Sequence, residues 1–156
     1  MTKIPELKTG QMITLAYFIG ILVILFIVYK LLGKVGIIKT SAKRKAEAAS
    51  EQAVESLRSD DYFNPAYYKG KQFKSIGANA ANLYAQYLHE ALSGVGTDEE
   101  LIYSTFGKLY NKTNISEVAA SYFLQYGKDL QAGLLDDLNK KEAVPLMDII
   151  NNLPER

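Results

Sequence analysis

The stretch ALSGVGTDEELI, residues 91–102, holds the residues best placed for chemistry. Gly94 and Gly96 are two permissive backbone positions separated by one residue. A loop built on them can turn several carbonyl oxygens to one side, and hard cations such as calcium take such oxygens together with a carboxylate. The same letters also spell a helix–helix turn. Gly94 suits the position just past a helix end. Thr97-Asp98-Glu99-Glu100 reads as a capping box, with Thr97 accepting from the N–H three residues on and Glu100 reaching back. Three carboxylates in that first turn complement the positive end of the helix dipole.

Other chemistry is sparse. The chain has no cysteine and one histidine, His89, so transition-metal sites are disfavoured. Asp60-Asp61 and Asp136-Asp137 are adjacent carboxylates. Neighbours on a helix point about 100° apart, so neither pair shares an acid–base task unaided. No nucleophile–base set and no phosphate-binding glycine loop is present, and the chain is predicted not to be an enzyme. Asn111-Lys112-Thr113 and Asn114-Ile115-Ser116 match the N-glycosylation pattern.

The elements that would position the loop are helical. Leu83, Tyr87, Leu88, Ala91 and Leu92 recur at three/four spacing, as do Leu101, Ile102, Phe106 and Leu109. Further segments carry Val118, Ala119, Tyr122 and Phe123, then Leu130, Leu134, Leu135 and Leu138, then Leu146, Ile149, Ile150 and Leu153. Pro145 suits the first turn of the last. Asn114 with Glu117 is a second candidate helix start. Strand-like alternation is absent, so an all-α domain is expected over 78–153.

The front of the chain differs. Thr9 to Tyr29 runs without a charge. As a helix that is roughly 31 Å, about the thickness of a bilayer's hydrocarbon core. A single transmembrane helix is expected over 9–32, behind a short tail at 1–8. Lys3 and Lys8 precede it, whereas Lys30, Lys34, Lys39, Lys43, Arg44 and Lys45 follow. That bias predicts a single-pass membrane protein with the C-terminal domain on the cytoplasmic side, where neither glycosylation pattern would be used. Residues 1–59 hold nine Lys/Arg against four Asp/Glu, and residues 60–156 hold nine against thirteen. The acidic remainder is a poor nucleic-acid binder.

Residues 33–61 read as a basic, then helical, solvated linker, rich in Ala, Glu, Lys and Arg. Residues 62–77 form an aromatic connecting segment. Tyr62, Phe63, Tyr67, Tyr68 and Phe73 lie there, and Asn64-Pro65 and Gly70 break helix. Those rings either pack back on the domain or form a partner surface; packing is the commoner outcome.

LSGVGTDEELI followed by YGKDLQAGLLDDL resembles a single annexin repeat, roughly over 78–153. The resemblance rests on Gly94, Gly96, Thr97, Asp98 and Glu99, then Tyr126, Gly127, Lys128, Asp129 and Leu130. It implies a five-helix bundle that binds calcium and, through it, anionic phospholipid. The implied metal ligands are the carbonyls of Leu92, Gly94 and Gly96 with an acidic side chain from Asp137 or Asp136. Glu99 near Thr97 would serve a secondary site. Ser93 stands where the family often has Lys or Arg, and NKKEAVP replaces its usual Ser/Thr-Gly turn.

The expected protein is thus all-α, a single transmembrane helix plus a five-helix annexin-like bundle. Its expected partners are the lipid bilayer and anionic phospholipid. The alternative is a calcium-independent, membrane-tethered protein-interaction or assembly module of a cell envelope or virion. In that alternative the segment Tyr62–Phe73 contributes contacts to a protein partner.

Overall fold

The computed structural model describes residues 20–28, Lys30, 41–94 and 96–155. The chain divides into two units at Lys45 and Ala46. In the first, residues 20–28 form a helix, α1, whose side chains are exposed throughout. Among the described residues no helix is long and apolar enough to cross a membrane. The transmembrane helix expected over 9–32 is corrected accordingly. Residues 9–19, 29, 31 and 32 of that span lie outside the described residues. With no such helix among the described residues, the expected single-pass, cytoplasmic-side placement and the bilayer as a partner are corrected as well.

Helix α2 (Ser41–Ser59) is built from the Ala-, Glu- and Lys-rich run. It is not solvated throughout. Ser50, Ala53 and Leu57 line one buried stripe, and Leu57 is 0% exposed. The spacing of these three is that of one helix face. Gln131 Nε2 donates to the Leu57 carbonyl at 2.6 Å, bonding the last turn of α2 to residues 130–137 within the second unit. A single 3₁₀ turn, Asp61–Phe63, follows and buries the Phe63 ring 6.1 Å from that of Phe106.

The rest is α3 (Ala78–Ser93), α4 (Glu99–Phe106), α5 (Thr113–Tyr126), α6 (Leu130–Asp137) and α7 (Ala143–Asn152). No strand occurs among the described residues. α3 packs on α4, α5 and α6, and α7 packs on α4. Leu88, Ile102, Ile115, Leu134, Leu146 and Ile150 are fully buried between them. Each contributes about 1.5–3 kcal/mol relative to an exposed side chain.

Helix α3 presents Ala81, Ala85, Leu88 and Ala91 to the core, leaving Leu83 42% exposed. Small side chains allow its neighbours a close approach, which the larger Leu83 and Tyr87 would have blocked. Gly94 follows the end of α3 as expected, whereas the expected N-cap of α4 differs. The N-cap of α4 is Asp98, not Thr97, and Asp98 Oδ1 accepts from Leu101 N at 2.9 Å. Gly94 is extended (φ −81°, ψ −174°), and the left-handed position of the loop is Gly96 at φ +89°.

Asn114 is not a cap. It is fully buried in the first turn of α5 with Asn111 beside it. Its Oδ1 accepts from Tyr110 N at 2.9 Å and Asn111 N at 3.2 Å. Both acceptor nitrogens of the glycosylation pattern are therefore enclosed. The folded chain excludes a glycan at either on steric grounds, whatever compartment it occupies.

Candidate functional site

The end of α3 and the end of α6 enclose a cleft of about 420 Å³, lined by Leu92, Tyr122, Lys128, Asp129, Ala132, Gly133, Asp136 and Asp137. Folding thus brings together Leu92 and both candidate aspartates. Asp129 is the N-cap of α6, accepting from Ala132 N at 2.8 Å. Leu92 Cδ1 lies 3.4 Å from where a Cβ on Gly133 would stand, an ordinary van der Waals spacing between α3 and α6. Burial, then Tyr126, then the Asp137 carboxylate push the Tyr122 phenol above its ordinary pKa.

The remaining sequence-predicted residues stand outside the lining. Gly94 and Gly96 lie in the loop. Thr97 Oγ1 donates to the Asp137 backbone carbonyl at 3.3 Å, tying loop to helix. Glu99 is the first residue of α4. Lys140 is turned to Glu51 on α2 at 3.5 Å and is not part of the cleft lining. The NKKE turn is itself a helix start: Glu142 Oε2 accepts from Asn139 N at 2.9 Å, and Asn139 Oδ1 accepts from Lys141 N at 2.9 Å. Among the described residues no group of three or more His, Cys, Asp or Glu side chains is placed to hold a metal ion. His89 is stacked on Tyr126 at 3.8 Å, a packing role.

A second place was less visible in the sequence. The aromatic segment is fixed to the start of α5 by buried polar groups. Lys74 O accepts from Asn111 Nδ2 at 3.0 Å and Asn114 Nδ2 at 2.8 Å. Glu117 Oε2 accepts from Ile76 N at 3.1 Å, and its Oε1 accepts from the Ser75 hydroxyl. Ser116 Oγ donates to Asn64 O at 2.5 Å and accepts from Tyr68 N at 3.1 Å. A segment without regular helix is thereby held in one conformation.

The tyrosines so fixed alternate with ammonium groups. Lys71 Nζ lies 3.0 Å over the Tyr67 ring, and Lys74 Nζ lies 3.7 Å over Tyr110. Tyr62 and Tyr67 meet edge-to-face at 5.1 Å, and Lys112 Nζ lies 5.4 Å over Tyr62. Phe63 is buried, whereas Tyr62, Tyr67, Tyr68 and Phe73 are half-buried. The rings pack on the domain, as the commoner expectation had it, while keeping one side outward.

Glu155 closes this face. Lys112 Nζ donates to its Oε1 at 2.7 Å, and the Tyr62 hydroxyl donates to its Oε2. These two bonds hold the Glu155 carboxyl below its ordinary pKa, Lys112 contributing most. The Tyr62 phenol is pushed up, chiefly by the same bond to Glu155. Elsewhere Leu124 is 83% exposed and Phe123 52%.

No family model matches the chain, and no solved structure matches it. The annexin resemblance and the annexin-like bundle are corrected on this ground. The calcium and phospholipid function it implied is overturned, because no metal-holding side-chain cluster and no membrane-crossing helix exist among the described residues. Fold class stands as all-α.

Proposed function

We propose that the chain is a non-catalytic, calcium-independent protein-interaction module whose docking surface is the lysine–tyrosine face at Tyr62, Tyr67 and Tyr110. The observation that carries this reading is preorganisation. Lys74, Ser75 and Ile76 are locked to α5 by Asn111, Asn114 and Glu117, although the segment itself has no regular helix. Tyrosine offers large contact area at low conformational cost, with a polar tip for hydrogen bonding. Rings held before the partner arrives lose little further entropy on binding.

The test is selection of a random peptide library on the full chain. Amide chemical-shift mapping of the selected peptide follows. A consensus should emerge that is insensitive to calcium chelation and shifts residues 67–75 and 110–112. It should be lost on Lys71→Glu/Lys74→Glu. Failure to enrich a consensus, or shifts confined to Asp136 and Asp137 or to Leu124, would remove the reading.

A further inference from the structure

Pro154 and Glu155 are held against this face through four acceptor atoms. Both oxygens of the Glu155 carboxylate are engaged by different groups, Lys112 Nζ and the Tyr62 hydroxyl. The adjacent main chain is gripped too. Lys112 N donates to Pro154 O at 2.9 Å, and Thr113 Oγ1 donates to Glu155 O at 3.1 Å. Two side-chain and two main-chain acceptors on consecutive residues are read at once. That is how a binding surface reads an acidic residue on a peptide, and it is more than a surface ion pair requires.

Lys71 reaches Glu155 electrostatically. Lys71 and Lys74 rest over tyrosine rings, and no carboxylate pairs with either among the described residues. Both lysines are exposed, so each ammonium remains available to an incoming anion.

Building on the interaction reading above, we propose that Tyr62, Lys112 and Thr113, with Lys71 and Lys74 beyond them, bind an acidic peptide segment of a partner protein. Pro154-Glu155 fills the first position of that site in cis. The Glu155 side chain is 62% exposed, so its contact is weak and exchangeable. A partner with several acidic residues displaces it by also engaging Lys71 and Lys74. A single-stranded nucleic acid suits the face less well. Bases need open aromatic faces for stacking, and Lys71 and Lys74 cover those of Tyr67 and Tyr110.

The experiment is fluorescence anisotropy on the full chain with a labelled Pro-Glu-Glu-Glu peptide, its Pro-Gln-Gln-Gln counterpart and a single-stranded oligonucleotide, at low and high salt. Glu155→Ala should tighten binding of the acidic peptide by about two- to fivefold, the release of one exposed charge contact. Lys112→Gln and Lys71→Gln/Lys74→Gln should each weaken it by more than about tenfold in the Glu155→Ala background, and Lys112→Arg should restore part of the loss. Circular dichroism of each variant separates lost binding from lost folding. Equal affinity for the acidic and glutamine peptides, no gain from Glu155→Ala, or preference for the oligonucleotide overturns the proposal. A library-selected neutral peptide that still maps to residues 67–75 would leave the interaction reading intact while this inference fails.

Discussion

Asn114 Nδ2 lies 2.8 Å from the Lys74 carbonyl oxygen, 40 residues away in sequence. The same amide nitrogen donates to Glu117 Oε2 at 2.9 Å, and the amide oxygen accepts from two backbone N–H groups. Asn114→Ala would leave several of these groups buried and unpaired. It should lower unfolding free energy by about 2–4 kcal/mol, the cost of orphaning more than one buried group. Urea denaturation of the variant checks this, and a loss below that of Asn111→Ala would contradict it.

Leu57 tests whether α2 belongs to the core of the second unit. With its side chain fully buried, Leu57→Ala should cost about 2–4 kcal/mol. Leu124→Ala, at an exposed position, should lie within about 0.5 kcal/mol of wild type. Paired thermal melts distinguish a docked helix from a solvated linker.

Gly127 ends α5 in the left-handed region, at φ +65° and ψ +17°. Its N–H donates to Phe123 O at 2.8 Å. Gly127→Ala should cost about 1–2 kcal/mol from the Cβ alone, since no neighbouring atom crowds that position. Gly127→Asn should cost less, because asparagine tolerates this conformation. Denaturant midpoints in parallel give the comparison.

Thr105 is buried, and its hydroxyl has no hydrogen-bond partner. Thr105→Val keeps the shape and removes an unpaired polar group. It should be neutral or stabilising by up to about 1 kcal/mol, against the usual direction for a core substitution. A lowered melting temperature would show that the hydroxyl has a partner after all.

Two carboxylates set the acid response in opposite senses. Glu155 is held below its ordinary value near 4.5, so its contribution is present above that value and lost as pH falls through the lower folded pKa. Being exposed, it is screened and contributes under about 1 kcal/mol. Asp60 is raised by burial, partly opposed by Lys112, so its charged form costs stability as pH rises through its folded pKa. Glu155→Gln should flatten the fall in stability on the acid side. Asp60→Asn should stabilise at neutral pH. A pH series of urea midpoints reads both signs.

The helices of the second unit were legible because their apolar residues recur with the helical period: Ile102 and Phe106, Leu130 and Leu134, Leu146 and Ile150 are buried as spaced. The face of α3 was legible only in part: Leu88 and Ala91 are buried as spaced, but apolar scales rank the exposed Leu83 above the buried Ala81 and Ala85. Leu92, Asp136 and Asp137 line one cleft, but an adjacency of that kind does not itself make a metal site. The lysine–tyrosine face was least visible. Lys112 and Glu155 are 43 residues apart, and nothing local marks them as partners.

The enclosure of Asn111 and Asn114 has a consequence for production of the protein. A host that routes the chain through a glycosylating lumen sets oligosaccharide transfer against folding in a kinetic race. A sugar attached to either nascent asparagine would block the burial on which the start of α5 depends. Such a host would yield unmodified native protein and modified misfolded protein, with no glycosylated native form between them.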